Sequence, residues 1–204
     1  MISNKRCLVL FARSPERGRV KTRLMPALGE ERTLRLYESL LYRQLNLVNN
    51  YVDTDAILAV HGEPDHPVFS GFRGTTILQK GDDIGQRMSH AMEIALTDYK
   101  QVLLTGCDCP AMNAEYLDAG FQALDQGKNA VFGPVRDGGY VLVGLSAALP
   151  EIFINIDWGS DKVMSQTREK LHALKVPWKE LPVTDDIDDP QDLALLEAFP
   201  DISY

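Results

Sequence analysis

The chain has 204 residues, 45% of them hydrophobic, which is long enough to bury a core and short enough for one domain spanning 1–204. Its net charge of -8 argues against general nucleic-acid binding, because nucleic-acid phosphates need a basic face. Three cysteines are too few for a disulfide framework and cannot by themselves build a four-ligand zinc site.

The amino terminus, MISNKRCLVLFARSPERG, has basic residues ahead of an apolar run. That run, 7–12, is too short for a signal-peptide core or a membrane span. The expectation is a soluble cytoplasmic protein with no membrane span. CLVLFA (7–12) reads as a strand buried on both faces. It leads into FARSPERGRVKTRL (11–24), where Pro15 and Gly18 give an irregular path and Arg13, Lys21 and Arg23 supply cations. Lys5, Arg6, Arg13, Arg17, Arg19, Lys21 and Arg23 all fall in the first 23 residues against one acid, Glu16. An acidic protein with one cationic segment suggests a local anion site, since backbone N–H groups leaving a strand and lysine or arginine side chains both suit phosphate. Neither GxxxxGK[ST] nor GxGxxG is present, and a solvated basic loop is the competing reading.

Leu34, Tyr37, Leu41, Leu45 and Val48 recur at helical spacing. AILAVH (56–61) reads as the next strand, and Met88, Ala91 or Met92, Ala95 and Tyr99 as the next helix. QVLLTG (101–106) is a buried strand that runs into GCDCP. An aspartate there costs desolvation unless a charged partner meets it, and a divalent cation bridging to phosphate is well suited. Pro110 ends the strand; Asp108 capping its own turn is the alternative. Cys107 and Cys109 alternate about Asp108, so they face the other side and read as small buried hydrophobes, with thiol metal or redox chemistry the minor option.

Asn113 is a plausible cap for a helix carrying Leu117, Phe121 and Leu124. AVFGP (130–134) and YVLVGL (140–145) read as strands. The intervening DGGY places Asp137, Gly138, Gly139 and Tyr140 where a backbone can approach a ligand, or where a turn simply feeds the next strand. In VTDDIDDPQDL (183–193), Asp186 and Asp188 share a face if the stretch is extended and could add a metal ligand; a solvated acidic cap on the last helix is the alternative. Asp189 and Pro190 read as cap and first position of that helix, which runs through Leu196. Strands alternating with helices define an α/β sandwich with a mostly parallel sheet, whose ligands bind beyond the carboxyl ends of the strands.

FARSPERGRVKTRL, QKGDDIGQRM (79–88), TGCDCPAM, GPVRDGGYVLVGL (133–145), IDWGSDKV (156–163) and DIDDPQDL (186–193) occur in this order. Together they resemble a bacterial family of nucleotide-diphospho-sugar transferase-like proteins, described as glycosyltransferases of the glycosyltransferase A fold. The likeness runs from about Cys7 to Leu193. The layout is also similar to the 2-phospholactate guanylyltransferases and, more distantly, the molybdenum-cofactor guanylyltransferases.

The resemblance implies a three-layer α/β/α sandwich with a mixed, mostly parallel sheet. It implies Mg²⁺ or Mn²⁺ on the pyrophosphate of a nucleotide or nucleotide-sugar donor, with transfer to a small-molecule acceptor. Ala12 and Arg13 would meet the nucleotide, Lys21 and Arg23 its phosphates, and Gly85 or Arg87 the base or ribose side. Asp108 and Asp188, less securely Asp186, would hold the metal; Asp137, Gly138, Gly139, Tyr140 and Trp158 would line the acceptor pocket. The catalytic pair would be Lys21 and Asp108. Cys107 stands where the family more often has serine, and Asp189 where it usually has threonine. The expected activity is a glycosyltransferase-like transfer. Nucleotidyl transfer and a non-catalytic nucleotide sensor are the alternatives, and a homodimer remains open.

Overall fold

The computed structural model describes residues 6–204; Lys5, counted above in the cationic segment, lies outside the described residues. The strands are β1 (Arg6–Arg13), β2 (Asp55–His61), β3 (Thr75–Leu78), β4 (Gln101–Thr105), β5 (Ala130–Pro134), β6 (Tyr140–Leu145) and β7 (Trp178–Glu180). The α-helices are α1 (Met25–Leu28), α2 (Glu30–Asn50), α3 (Ile84–Asp98), α4 (Ala114–Asp125) and α5 (Val163–Ala173). A 3-10 helix, Pro190–Ala198, replaces the short terminal helix expected from the sequence.

All seven strands join one sheet in the order β3-β2-β1-β4-β6-β5-β7. β6 runs antiparallel to both neighbours, and the other pairs are parallel. The mixed, mostly parallel sheet is therefore as the sequence predicts. Two strands were not anticipated. β3 is a sheet edge with three of its four residues exposed, and β7 is only three residues long, so neither carries a buried apolar run.

Alternation along β1 divides the core into two layers, because successive side chains leave a strand on opposite faces. Leu8 and Leu10 pack with Tyr37, Leu41 and Leu45 of α2 and Leu117 and Phe121 of α4. Cys7 and Val9 face Met88, Ala91 and Met92 of α3 and Met164 and Leu171 of α5. Each fully buried leucine contributes roughly 1.5–3 kcal/mol of transfer free energy. Helices on both faces complete the three-layer sandwich. Asn113 caps α4 as expected, its side-chain oxygen accepting the Tyr116 N–H at 2.9 Å. Asp192 accepts the backbone N–H groups of Asp188 and Asp189 at 3.0 and 2.7 Å, which fixes the entry to the terminal 3-10 helix.

The chain proceeds from β1 outward through β2 and β3, then returns to place β4 on the other side of β1. That reversal makes the β1/β4 seam the switch point where an open sheet presents a crevice. Among the described residues no helix is long and apolar enough to cross a membrane.

Candidate functional site

A cleft of about 580 Å³ opens at that seam, a size suited to a nucleotide-sized ligand. Arg13 ends β1 and pairs in register with His61 at the end of β2, while Gly106 to Asp108 follow β4 directly. Three strand ends thus deliver their first loop residues to one place.

The β1 loop is held from beneath. The Tyr37 hydroxyl accepts the Arg13 backbone N–H at 2.9 Å and donates to the Arg13 carbonyl at 2.7 Å. Gln79, just past β3, donates its side-chain amide to the carbonyls of Ala12 and Ala59 at 3.0 and 2.9 Å. Ser14 joins the β1 and β2 loops, its backbone N–H donating to the His61 carbonyl at 3.0 Å and its hydroxyl accepting the Glu63 N–H at 3.0 Å. Burial, then the charges of Arg87 and Arg13, hold His61 below its ordinary pKa, so it favours the neutral form.

Further along the same loop, buried Val20 and Leu24 anchor the chain on either side of Lys21. Lys21 itself takes left-handed backbone angles (φ 48°, ψ 43°), which costs a non-glycine residue roughly 1 kcal/mol and turns its side chain inward. Its ammonium lies 2.9 Å from Asp108 Oδ1 and 2.6 Å from Asp188 Oδ1, and the side chain is 5% exposed. Burial alone would lower the lysine pKa; the two carboxylates more than reverse this and hold it well above its ordinary value. For Asp188 burial works upward, but Lys21 and then Arg23 bring its pKa below the usual carboxylate range.

Asp186 and Asp188 arrive from the far end of the chain by a backbone route. The Thr184 N–H donates to the Pro134 carbonyl at 3.0 Å, and the Ile187 N–H to the Asp108 carbonyl at 3.0 Å. Ile187 is fully buried while both flanking aspartates line the cleft, so they share a face as an extended stretch requires. Burial pushes Asp186 up to about 7, helped by the negative charges of Asp137 and Asp188 and opposed by Lys21. Cys107 and Cys109 are buried at 5% and 1% exposure, the Cys107 thiol donating to Asp108 Oδ1 at 3.5 Å beside the cleft, and burial raises both thiols. The raised values disfavour the thiolate, the form that acts as nucleophile or metal ligand.

Of the sequence-predicted site residues, Ala12, Arg13, Lys21, Arg23, Arg87, Asp108, Tyr140, Asp186 and Asp188 line the cleft. Gly85 lies behind its wall, where a Cβ would come within 2.5 Å of the Trp158 ring, and Trp158 meets Tyr140 edge to face at 6.3 Å. Asp137 accepts the Gly139 N–H at 2.9 Å, forming a turn of its own. Gly138, at φ 92°, packs against the Asp161 carbonyl, and its own carbonyl accepts the Met164 N–H at 2.8 Å. Asp137, Gly138, Gly139 and Trp158 therefore stand outside the cleft lining, at the rim beyond Tyr140.

Arg19, counted in the cationic segment, also lines the cleft, whereas sequence reading missed Tyr37, His61 and Gln79. His61 ends β2 and Gln79 directly follows β3, so the strand-end rule applied to β2 would have found the first, and recognition of β3 the second.

Among the described residues no three His, Cys, Asp or Glu side chains are grouped to hold a metal ion. Asp108 and Asp188 nevertheless both reach one point, now taken by the lysine ammonium. Magnesium is commonly held by one or two carboxylates and completed by substrate phosphates and water, and this donor pair suits that arrangement.

The fold defines a protein of the nucleotide-diphospho-sugar transferase type. The chain belongs to the family described as uncharacterized protein conserved in bacteria (DUF2064), whose model matches residues 45–160. A protein of Desulfovibrio desulfuricans G20, provisionally described as a nucleotide-diphospho-sugar transferase, is 33% identical, with TM-score 0.85 over 94% of this chain and 85% of that one. The 4-diphosphocytidyl-2C-methyl-D-erythritol synthase of Anaerococcus prevotii DSM 20548 shares the fold at 12% identity and TM-score 0.62, covering 97% of each chain. So does Rv0371C of Mycobacterium tuberculosis H37Rv, solved in complex with manganese, at 16% identity and TM-score 0.57 over 96% of this chain and 99% of that one. Comparison with curated proteins gave no match.

Proposed function

We propose that the protein is a transferase that uses a nucleotide-activated donor, and that it transfers a sugar from a nucleotide sugar with the help of Mg²⁺ or Mn²⁺. The observation that carries this reading is the meeting of Lys21, Asp108 and Asp188 at the β1/β4 seam, beside Arg13, Arg23 and Arg87. The Desulfovibrio relative supports sugar transfer as the specific reaction.

Asp108 and Asp188, with Asp186 beside them, would hold the divalent cation, which supplies Lewis-acid stabilisation of charge on the donor phosphates. Lys21, Arg13 and Arg23 offset the charge that builds as the nucleoside diphosphate leaves. The acceptor hydroxyl oxygen forms the new bond to the sugar carbon as the sugar–phosphate bond breaks, the diphosphate departs with the electron pair, and the hydroxyl proton passes to water or to a departing phosphate oxygen. Tyr37 and Gln79 position the loop that carries these charges. The acceptor enters from the rim formed by Asp137, Gly138, Gly139, Tyr140 and Trp158.

Nucleotidyl transfer is the second reading, favoured by one observation. Arg13, Arg19, Lys21, Arg23 and Arg87 all line a single cleft, a cationic density suited to a triphosphate. The two reactions break different bonds, so their products decide between them. With Mn²⁺ and a panel of nucleotide sugars and nucleoside triphosphates, sugar transfer releases a nucleoside diphosphate and nucleotidyl transfer releases pyrophosphate. Thermal stabilisation by a nucleotide without either product would instead indicate a sensor.

A further inference from the structure

Lys21 has two kinds of anion within its reach. Its ammonium bridges Asp108 and Asp188 at 2.9 and 2.6 Å, the same carboxylates assigned to the divalent cation above. A cation held by both at about 2.1 Å would sit between the same two oxygens that the ammonium now contacts. An ammonium and a dication cannot share that point, because bare like charges at such separation repel strongly in a partly buried site.

The backbone does not need to move for the lysine to leave. Val20 and Leu24 are buried anchors on either side, and the left-handed turn at Lys21 already aims a flexible four-carbon stem into the cleft that Arg13, Arg23 and Arg87 also line. An ammonium expelled from the carboxylates therefore finds its next strong partner in the donor phosphates. With no phosphate present, Asp186 is the one other carboxylate among the described residues lining the cleft, and it stands beside the incoming cation, so the displacement is poorly compensated.

Resting on the metal-dependent reading above, we propose that Lys21 is a resident counter-ion that gives up Asp108 and Asp188 to the incoming cation and turns onto the donor phosphates. Metal and nucleotide then load together, each raising the affinity for the other by the same factor. Before loading, the lysine keeps the carboxylate cluster from repelling itself.

The test uses the full chain and Mn²⁺ alone, with free ion measured by electron paramagnetic resonance. Lys21→Met keeps the stem and removes the charge. It is expected to bind Mn²⁺ tighter than wild type by about tenfold or more, since uncompensated carboxylates gain most from a new cation. Adding Asp108→Asn to that variant is expected to abolish the gain. Unchanged or weaker Mn²⁺ binding by Lys21→Met, while Asp108→Asn still loses the ion, overturns the exchange and leaves the metal reading standing. Mn²⁺ binding that Asp108→Asn does not weaken overturns both.

Should Lys21→Met fail to fold, the wild type decides the matter through the ¹⁵Nζ signal of its buried lysine. Mg²⁺ is expected to shift or erase that signal; a signal unmoved at saturating Mg²⁺ overturns the proposal.

Discussion

The backbone N–H of Ile187 donates to the carbonyl of Asp108 at 3.0 Å. Asp108 is thus positioned by its main chain, which leaves its carboxylate to meet the Lys21 ammonium at 2.9 Å in the cleft. Asp108→Asn is expected to lower turnover by about 10²-fold or more while leaving the unfolding midpoint within a few degrees. Full activity in that variant, measured with the donor that gives product, would reject the site.

Replacing both Cys107 and Cys109 by Ser is expected to preserve turnover within about threefold and to reduce stability by about 1–3 kcal/mol, because each hydroxyl is buried among apolar side chains with a single polar neighbour, Asp108 or Thr184. A larger loss of activity than in Asp108→Asn would revive a thiol mechanism.

Tyr37→Phe removes one hydroxyl that serves both the N–H and the carbonyl of Arg13. The expected cost is about 1–3 kcal/mol in urea unfolding, together with weaker nucleotide binding. Unchanged affinity would mean that the cationic loop holds its shape without this support.

Gly138 and Gly139 separate cleanly. A Cβ at Gly138 would fall 2.1 Å from the Asp161 carbonyl oxygen at a backbone φ of 92°, whereas at Gly139 the nearest neighbour lies at 3.3 Å. Gly138→Ala is expected to destabilise the fold by about 2 kcal/mol or more, and Gly139→Ala by less than about 1 kcal/mol. Equal urea midpoints for the two would contradict the packing.

Arg168 donates two hydrogen bonds to Glu180, both at 2.8 Å. These hold the Glu180 carboxyl below the usual carboxylate range against the opposing effect of burial. A depressed folded-state pKa gives stability that is fully present above the unfolded value and lost as pH falls through the folded one. Side chains 44% and 29% exposed limit the gain to under about 1 kcal/mol. The melting-temperature deficit of Arg168→Met should be present at about pH 7 and close towards about pH 3, below the carboxyl titration. A deficit independent of pH would assign it to lost packing.

Much of this arrangement was legible in the sequence where one physical signal dominates. Strands buried on both faces, such as CLVLFA and QVLLTG, show as apolar runs, and the cationic stretch around Lys21 stands out in an acidic chain. β3 did not, because an exposed edge strand has no apolar run, and with it went the placement of Gln79. α5 was missed as well; its buried face is made by Val163, Met164, Thr167 and Leu171, too mixed to stand out. The junction of Lys21 with Asp108 and Asp188 depends on backbone bonds between segments distant in the chain, and local spacing says nothing about those. Tyr37 looked like any other core position of a helix until its hydroxyl could be placed.

β6 alone runs against the sheet, and Leu142 sits opposite Thr105 at the carboxyl end of β4. Because of that reversal, the β5–β6 hairpin tip opens at the same edge as the nucleotide-side loops while belonging to a separate connection. Lengthening or regrafting residues 137–139 would remodel one bank of the crevice, whereas Val135 and Arg136 are tied to Thr184 and Asp185 on the segment that delivers Asp186 and Asp188. The tip of that hairpin and its anchor at 135–136 thus carry different consequences for the same crevice.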